Sequence, residues 1–204
     1  YLSLGNEVKV FVATGPGEGE HPLWGLETWE VVRAEFKSAM SVLGVTGYSF
    51  ANLPAACLDH TAIWKINEVI GQELDSFKPD ILFIPFLFDL HGDHTRIAYA
   101  SQVLSRPYLD GAGAAISEVY YYETMSETNL YPAYLSPGFQ PNVYFDITQH
   151  LEKKLKAFEC YKSQQQRKNQ PRSIEGLKAL SRYRGTFINV EAAEAFVVNR
   201  IVNK

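Results

Sequence analysis

The sequence has few cysteines. Only Cys57 and Cys160 occur among the 204 residues, and they lack the spacing of a zinc finger or of a CxxC redox pair. A disulfide framework is therefore not expected, and a reducing compartment fits best. We predict a cytoplasmic protein in which both cysteines are ordinary small residues, buried or half-buried.

Positive charge is not in excess either. The 19 lysines and arginines are outnumbered by 23 aspartates and glutamates, which gives a net charge of −4. Proteins that bind nucleic acids attract the phosphate backbone with a basic surface. The balance of charge therefore argues against DNA or RNA as a partner.

Long apolar runs are missing as well. The longest extends from Ile81 to Phe88, whereas a membrane helix needs about 20 apolar residues. No basic region followed by an apolar run opens the sequence, so no signal peptide is visible. We predict no membrane span.

What the sequence does contain is an alternation of strand and helix patterns. A length of 204 residues favours one domain, which we assign to 1–204. Apolar periodicity and turn residues predict strands at 8–13, 48–53, 81–84, 118–122 and 142–147, and helices at 28–43, 61–77 and 148–163, with another helix ending at Leu104. The continuous apolar strand 81–84 is typical of a parallel sheet covered by helices on both faces. We therefore predict an α/β fold that binds its ligands at the carboxyl ends of the strands.

The residues best suited to chemistry follow strand 81–84. Two of the five histidines, His91 and His94, lie three positions apart with Asp93 between them. Neutral imidazoles bind zinc well, and a neighbouring carboxylate can fix the tautomer of a ring. The alternative is structural: both histidines belong to a loop and a helix start that Asp93 caps. For an isolated string of this kind the structural interpretation is the commoner one.

The wider pattern resembles the PIG-L/LmbE-like family of zinc-dependent N-deacetylases over nearly the whole chain. The matching pieces occur in the family's order: strand 8–13; Arg33-Ala-Glu35 with Ala39 and Leu43-Gly44-Val45; Lys78-Pro79-Asp80; Asp89-Leu-His91-Gly-Asp93-His94; Glu118-Val-Tyr-Tyr-Tyr-Glu123; Asp146-Ile-Thr with Lys153-Lys154 and Tyr161-Lys-Ser-Gln164; Arg184-Gly185; and Ala193-Glu-Ala-Phe196. Each piece alone is weak evidence. Together and in order they identify the chain as a member.

The resemblance implies a Rossmann-like, three-layer fold with a mostly parallel sheet and a zinc-dependent hydrolase. Its substrate would be a small N-acetylated sugar of the GlcNAc-conjugate type, and members are often homo-oligomers. His94 matches the zinc-binding histidine, and His91 matches the histidine that stabilises the oxyanion or protonates the leaving amine. Asp93 matches the acid that orients the site, and Asp89 occupies a frequently acidic position that we assign to substrate binding.

Arg33 is a further substrate-binding candidate, because from the edge of the site it could reach a hydroxyl or phosphate group. The alternative for Arg33 is an exposed side chain paired with Glu30 on the same helix.

One signature of the family is not in the sequence. An AHPDDE-like motif supplies the family's other zinc ligands and its general base, and the only His-Pro pair here, His21-Pro22, follows the strand that matches the family's second. We therefore expect a chain that lacks the first strand and helix, as its start at Tyr1 also suggests. We expect the remaining ligands in that absent segment, poor zinc binding by these residues alone, and two sheet edges left unpaired.

Two other interpretations stay open. The chain could be a non-catalytic family member, a remnant without the metal site that binds a ligand or serves as a structural subunit. It could also be a different α/β enzyme, such as a nucleotide-sugar binder, in which the HGDH string is incidental.

Overall fold

The computed structural model describes residues 1–108 and 110–203, and it contains strands and helices in alternation. The strands are β1 (Lys9–Gly15), β2 (Gly47–Pro54), β3 (Ile81–Pro85), β4 (Glu118–Tyr122), β5 (Val143–Asp146) and β6 (Ala193–Ile201). The helices are α1 (Leu26–Leu43), α2 (Ile63–Phe77), α3 (Gly92–Leu104), α4 (Leu151–Glu159) and α5 (Ile174–Thr186). The α/β class predicted from the sequence is confirmed.

Three features differ from the sequence prediction. The helix predicted at 148–163 is shorter, because a turn of 3-10 helix at Thr148–His150 precedes α4, which ends at Glu159. Helix α5 and strand β6 were not predicted as elements. The strands form two sheets, one of order β1-β2 and one of order β3-β4-β6-β5. Strand β3 is parallel to β4, but β4 is antiparallel to β6, so the second sheet is partly rather than mostly parallel.

The chain divides into two compact units, each drawn from two stretches of sequence. The first contains Tyr1–Phe50 and Tyr144–Glu194. Its main core lies on α1, where Phe36, Ala39 and Met40 recur at helical spacing and are buried. Gly44 ends α1 in the left-handed conformation, with φ of 79°, which a residue without Cβ adopts at little cost.

The C-terminal part of this first unit contains a close backbone approach. The Val190 N–H donates to the carbonyl of Gly185 in α5 at 3.1 Å. A Cβ placed on Gly185 would lie 2.5 Å from the Val190 carbonyl oxygen. The chain therefore turns back against α5, just before β6, at a point where no side chain fits.

The second unit runs from Ala51 to Val143 and resumes at Ala195. In it, α2 packs against α3, and the parallel pair β3/β4 aligns Ile81 with Glu118 and Pro85 with Tyr122. The carboxyl ends of β3 and β4 therefore lie side by side, and the segment between Pro85 and α3 begins there. The single domain predicted over 1–204 stays a prediction.

Within the described residues, no helix combines the length and the apolar composition that crossing a membrane requires.

Candidate active site at the start of α3

His91 is the N-cap residue of α3 and the first of the two histidines of the site. Its Nδ1 accepts a hydrogen bond from the Asp93 N–H at 3.2 Å, which satisfies one of the free donors of the first helical turn. A neutral imidazole has one bare nitrogen and one N–H. Because Nδ1 is the acceptor, the neutral His91 ring has its proton on Nε2 and is a hydrogen-bond donor there.

The contacts of His94 favour the opposite tautomer. Its Nδ1 lies 3.0 Å from Asp89 Oδ1, and because an ionised carboxylate can only accept, this contact favours the neutral ring with its proton on Nδ1. The Nε2 atom of His94 is thereby left with its lone pair. The His94 side chain is 28% exposed, and its ring stacks on that of His91 with 4.8 Å between the centroids. One bare nitrogen and one N–H donor therefore belong to neighbouring rings.

Asp89 is the buried acceptor behind both histidines, with only 1% of its surface exposed. Its Oδ1 also accepts the His91 N–H at 2.9 Å, and its Oδ2 accepts the Thr128 hydroxyl at 2.6 Å. Burial alone would raise the pKa of Asp89, but the hydrogen bonds from His94, Thr128 and the His91 backbone outweigh burial and lower it. Asp89 is therefore a carboxylate that orients its neighbours.

The position of Asp89 bears on its predicted role in substrate binding. The side chain is almost fully enclosed and engaged at both oxygens, and its assignment to substrate binding stays a prediction. Its contacts are those of a residue that positions His94.

Asp93 is buried and holds the segment that follows β2. Its Oδ2 accepts the Ala56 N–H at 2.6 Å, and its Oδ1 accepts the Leu58 N–H at 3.1 Å. Ala56 has a φ of 57°, in the left-handed region that L-residues with a Cβ rarely adopt. The carboxylate also lies in the first turn of α3, where a negative charge is favoured. Asp93 therefore holds a turn with left-handed backbone beside the site, and its predicted role in orienting the site stays a prediction.

The structure brings Asp89, His91, Asp93 and His94 together and places Arg33 in the other unit. Arg33 lies on α1, with its guanidinium carbon 5.4 Å from the centre of the Phe50 ring. His21 also lies in that unit and is 7% exposed.

A zinc ion can be tested against these residues by their chemistry. An imidazole held on Nδ1 by a buried carboxylate, with Nε2 bare, is the usual form of a zinc-binding histidine and its outer partner. His94 and Asp89 fit that form. Catalytic zinc normally has three protein ligands, and no group of three or more His, Cys, Asp or Glu that could hold a metal occurs in 1–108 or 110–203. The described residues therefore supply one zinc ligand, His94, together with its outer partner Asp89.

Two parts of the site were missed by sequence reasoning. Thr128 follows Asp89 by 39 residues in a segment without a recognisable motif. The backbone donors at Ala56 and Leu58 have no sequence signal, because every residue except proline has an N–H. Only the fold brings these groups to the HGDH segment.

Comparison with protein families finds a match over the first half of the chain. The family model described as PIG-L, GlcNAc-PI de-N-acetylase, matches residues 1–104, which include the HGDH segment.

Similar solved structures share the fold over almost the whole chain. The conserved protein TT1542 from Thermus thermophilus is 21% identical, with a TM-score of 0.75 over 100% of this chain and 86% of that chain. The N,N'-diacetylchitobiose deacetylase from Pyrococcus horikoshii is 21% identical, with a TM-score of 0.73 over 98% of this chain and 75% of that chain.

GalB, the 4-carboxy-2-hydroxymuconate hydratase from Pseudomonas putida, is 16% identical, with a TM-score of 0.70 over 100% of this chain and 89% of that chain. At these identities the likeness shows a common Rossmann-like fold. A deacetylase and a hydratase both have it, so the fold alone does not select the reaction.

Proposed function

From the premise that the chain belongs to the PIG-L family, whose model matches residues 1–104, we propose that it is a zinc-dependent amide hydrolase. The reaction is removal of the acetyl group from an N-acetylated sugar, as in a GlcNAc-type conjugate. The observation that carries the proposal is the pair of Nδ1 contacts, His94 with the Asp89 carboxylate and His91 with the Asp93 N–H, which together favour a bare Nε2 on His94 beside an Nε2–H on His91. Metal-dependent amide hydrolysis needs both a metal ligand and a proton donor.

His94 is the residue that would hold zinc, through Nε2. When bound, the metal supplies Lewis acidity, which polarises the amide carbonyl and makes water a stronger nucleophile at neutral pH. Asp89 fixes the His94 ring so that Nε2, rather than Nδ1, is the free nitrogen.

His91 supplies the proton-bearing group. Its Nε2–H can donate to the amide oxygen as that oxygen gains negative charge, or to the nitrogen that departs as an amine. Loss of the amine requires that the nitrogen gain a proton when its bond to the acyl carbon breaks. The hydrogen bond from the Asp93 N–H keeps the His91 ring in the donor form.

Asp93 positions the site, and Arg33 is proposed to contact a substrate hydroxyl or phosphate group. Asp93 acts on the turn at Ala56 and on the start of α3. The proton acceptor for the attacking water belongs, in the family's pattern, to the AHPDDE-like motif, which these 204 residues lack. We further propose a cytoplasmic location and a homo-oligomer, following the sequence predictions.

A non-catalytic family member is the second candidate. It is favoured by the observation that no group of three or more His, Cys, Asp or Glu that could hold a metal occurs in residues 1–108 and 110–203. Such a protein would bind an N-acetylated sugar without cleaving it.

The two candidates separate in one experiment. The purified intact protein, dialysed against a chelator and then supplied with zinc, is incubated with an N-acetylglucosaminyl substrate, and both free acetate and the new primary amine are measured. Equal release of the two products, abolished by the chelator and slowed roughly 10²–10³-fold by His91→Ala, supports the hydrolase. Binding of the intact substrate without acetate release supports the non-catalytic member.

A further inference from the structure

Thr128 reaches the site from the segment that follows β4. It is buried, with 4% of its surface exposed. Its hydroxyl oxygen lies 2.6 Å from Asp89 Oδ2, and the Thr124 N–H donates to the same hydroxyl at 2.8 Å. The side chain therefore bridges the backbone of its own turn and the carboxylate behind the histidines.

The chemistry of the groups fixes the direction of these hydrogen bonds. A threonine hydroxyl has one proton to donate, and a carboxylate can only accept. The Thr124 N–H can only donate, so it occupies a lone pair of the Thr128 oxygen. The Thr128 proton must then go to Asp89 Oδ2, which leaves Oδ1 to accept from His94 and from the His91 N–H.

We propose that Thr128 is a positioning residue that sets the tautomer of His94 through Asp89. By occupying Oδ2, its hydroxyl holds the plane of the carboxylate so that Oδ1 faces His94 Nδ1. The imidazole proton stays on Nδ1, and Nε2 stays bare. Only the use of Nε2 for zinc rests on the proposed function.

Removing the hydroxyl disturbs two buried partners at once. Asp89 Oδ2 loses its donor and the Thr124 N–H loses its acceptor, and unsatisfied buried polar groups are costly. Without the hydrogen bond from Thr128, the Asp89 carboxylate rotates toward another donor, and Oδ1 is then no longer aligned with His94. The His94 ring is then free to take either tautomer.

The test measures the tautomer directly in metal-free protein. Histidine side chains are labelled with ¹⁵N, and the spectra are recorded at a pH where the imidazoles are neutral. The wild-type chain is expected to show His94 protonated on Nδ1 only. Thr128→Val keeps the shape but lacks the hydroxyl, and it is expected to show a mixture with a substantial Nε2-protonated fraction. Thr128→Ser keeps the hydroxyl and is expected to match the wild type.

Two results would overturn the proposal. Wild-type tautomer populations in Thr128→Val would show that the hydroxyl does not set the ring. A mixture in Thr128→Ser equal to that in the valine variant would show that the methyl group is what matters. Thr186→Val is the matched control, because the exposed Thr186 hydroxyl donates to the Tyr183 carbonyl at the end of α5. This variant should leave His94 unchanged.

A measurement on the wild type covers the case in which Thr128→Val does not fold. The buried hydroxyl proton of Thr128 should exchange slowly with solvent and give its own NMR signal. Rapid exchange of that proton would contradict the proposal.

Zinc affinity gives a second readout and separates this proposal from the proposed function. Competition with a coloured chelator should show zinc binding weakened about tenfold in Thr128→Val and unchanged in Thr128→Ser, at the lower end of the effect known for outer partners of metal ligands. A tautomer change in a chain without deacetylase activity would support the role of Thr128 and count against the hydrolase. Deacetylase activity with no tautomer change in Thr128→Val would support the hydrolase and count against the role of Thr128.

Discussion

The junctions after β1 and β3 each contain a histidine held in the same local way. His21 Nδ1 accepts the Leu23 N–H at 3.1 Å, and His91 Nδ1 accepts the Asp93 N–H at 3.2 Å. Each ring thus closes a short turn on the N–H two residues further on. Their surroundings differ: the His21 ring packs against two tryptophan rings, whereas the His91 ring stacks on a second imidazole, that of His94.

This difference distinguishes a histidine that only caps a turn from one that also belongs to the candidate site. A histidine that accepts a backbone N–H is a local cap, and such a cap occurs in both junctions. The junction after β3 also has a buried carboxylate, Asp89, whose Oδ1 lies 3.0 Å from His94 Nδ1, and this contact favours the other tautomer for His94. A bare nitrogen beside an N–H donor exists only in the second arrangement, so the carboxylate is what distinguishes the candidate site.

In the intact protein, replacing His94 by alanine should have the largest effect on the site after β3. The variant loses the bare Nε2, so both zinc content and deacetylation should fall, turnover by more than about 10³-fold. Zinc content and the rate on an N-acetylglucosaminyl substrate are measured on the same samples. Full zinc content in this variant would contradict the assignment of the ligand.

In the intact protein, replacing His91 by alanine should lower turnover without removing the metal. The Nε2–H donor is lost while His94 and Asp89 remain, so zinc content should be kept and turnover should fall by roughly 10²–10³-fold. The same two measurements apply. If zinc disappears here but stays in His94→Ala, the two histidines have exchanged roles. Normal rates in both variants would mean that the HGDH segment is not the active site.

Asp93→Asn should lower stability and also reduce turnover to a level between those of the two histidine variants. An amide presents an NH₂ group to one of the two backbone donors at Ala56 and Leu58, which should cost about 1–3 kcal/mol in the free energy of unfolding. Urea denaturation measures this cost. Asp59→Asn is the control, because the exposed pair with Arg96 contributes at most about 1 kcal/mol. Equal losses in the two variants would show that Asp93 is not the anchor of the turn.

His21→Ala should affect stability but not the site. Loss of the ring between the tryptophans should lower the free energy of unfolding by about 1–2 kcal/mol, whereas zinc affinity should be unchanged. Thermal unfolding and chelator competition check the two expectations. A loss of zinc affinity would show that His21, like His94, contributes to the zinc site.

Ala56→Gly should give the smallest effect, with the opposite sign. A left-handed φ costs a residue with Cβ about 1–2 kcal/mol, and the larger entropy of unfolded glycine cancels part of the gain. A net stabilisation of up to about 1 kcal/mol is expected. Ala34→Gly, on the exposed face of α1, should instead destabilise by about 1 kcal/mol. Destabilisation by both variants would show that residue 56 is not strained.

The regular parts of the fold could be predicted because their patterns are local. The strand predicted at 118–122 coincides with β4, and the apolar run at 81–84 differs from β3 by one residue. Helix α5 was missed because glycines at 176 and 185 and the buried polar residues Ser181 and Arg184 interrupt its apolar stripe. Its N-cap Ser173, which accepts the Gly176 N–H at 3.0 Å, was the available signal.

The motif of the site could be predicted from the sequence, but the residues that position that motif could not. The sequence placed Asp89, His91, Asp93 and His94 within six positions, and the structure joins them by hydrogen bonds. Thr128 lies far away in sequence, and its contribution depends on where the turn after β4 meets Asp89. The tautomers also depend on such contacts, since hydrogen-bond partners decide which nitrogen holds the proton.

The close approach at Gly185 has a consequence for how this sequence can vary. Helix propensity alone would favour alanine over glycine inside α5 by about 1 kcal/mol. The Val190 carbonyl stands 2.5 Å from where the alanine methyl would be, and a backbone atom cannot move aside as a flexible side chain can. Random mutagenesis with selection for folded protein should therefore recover many changes at exposed positions of α5 and almost none at 185. Gly185 is unfavourable by helix propensity, and yet selection for folded protein is expected to retain it.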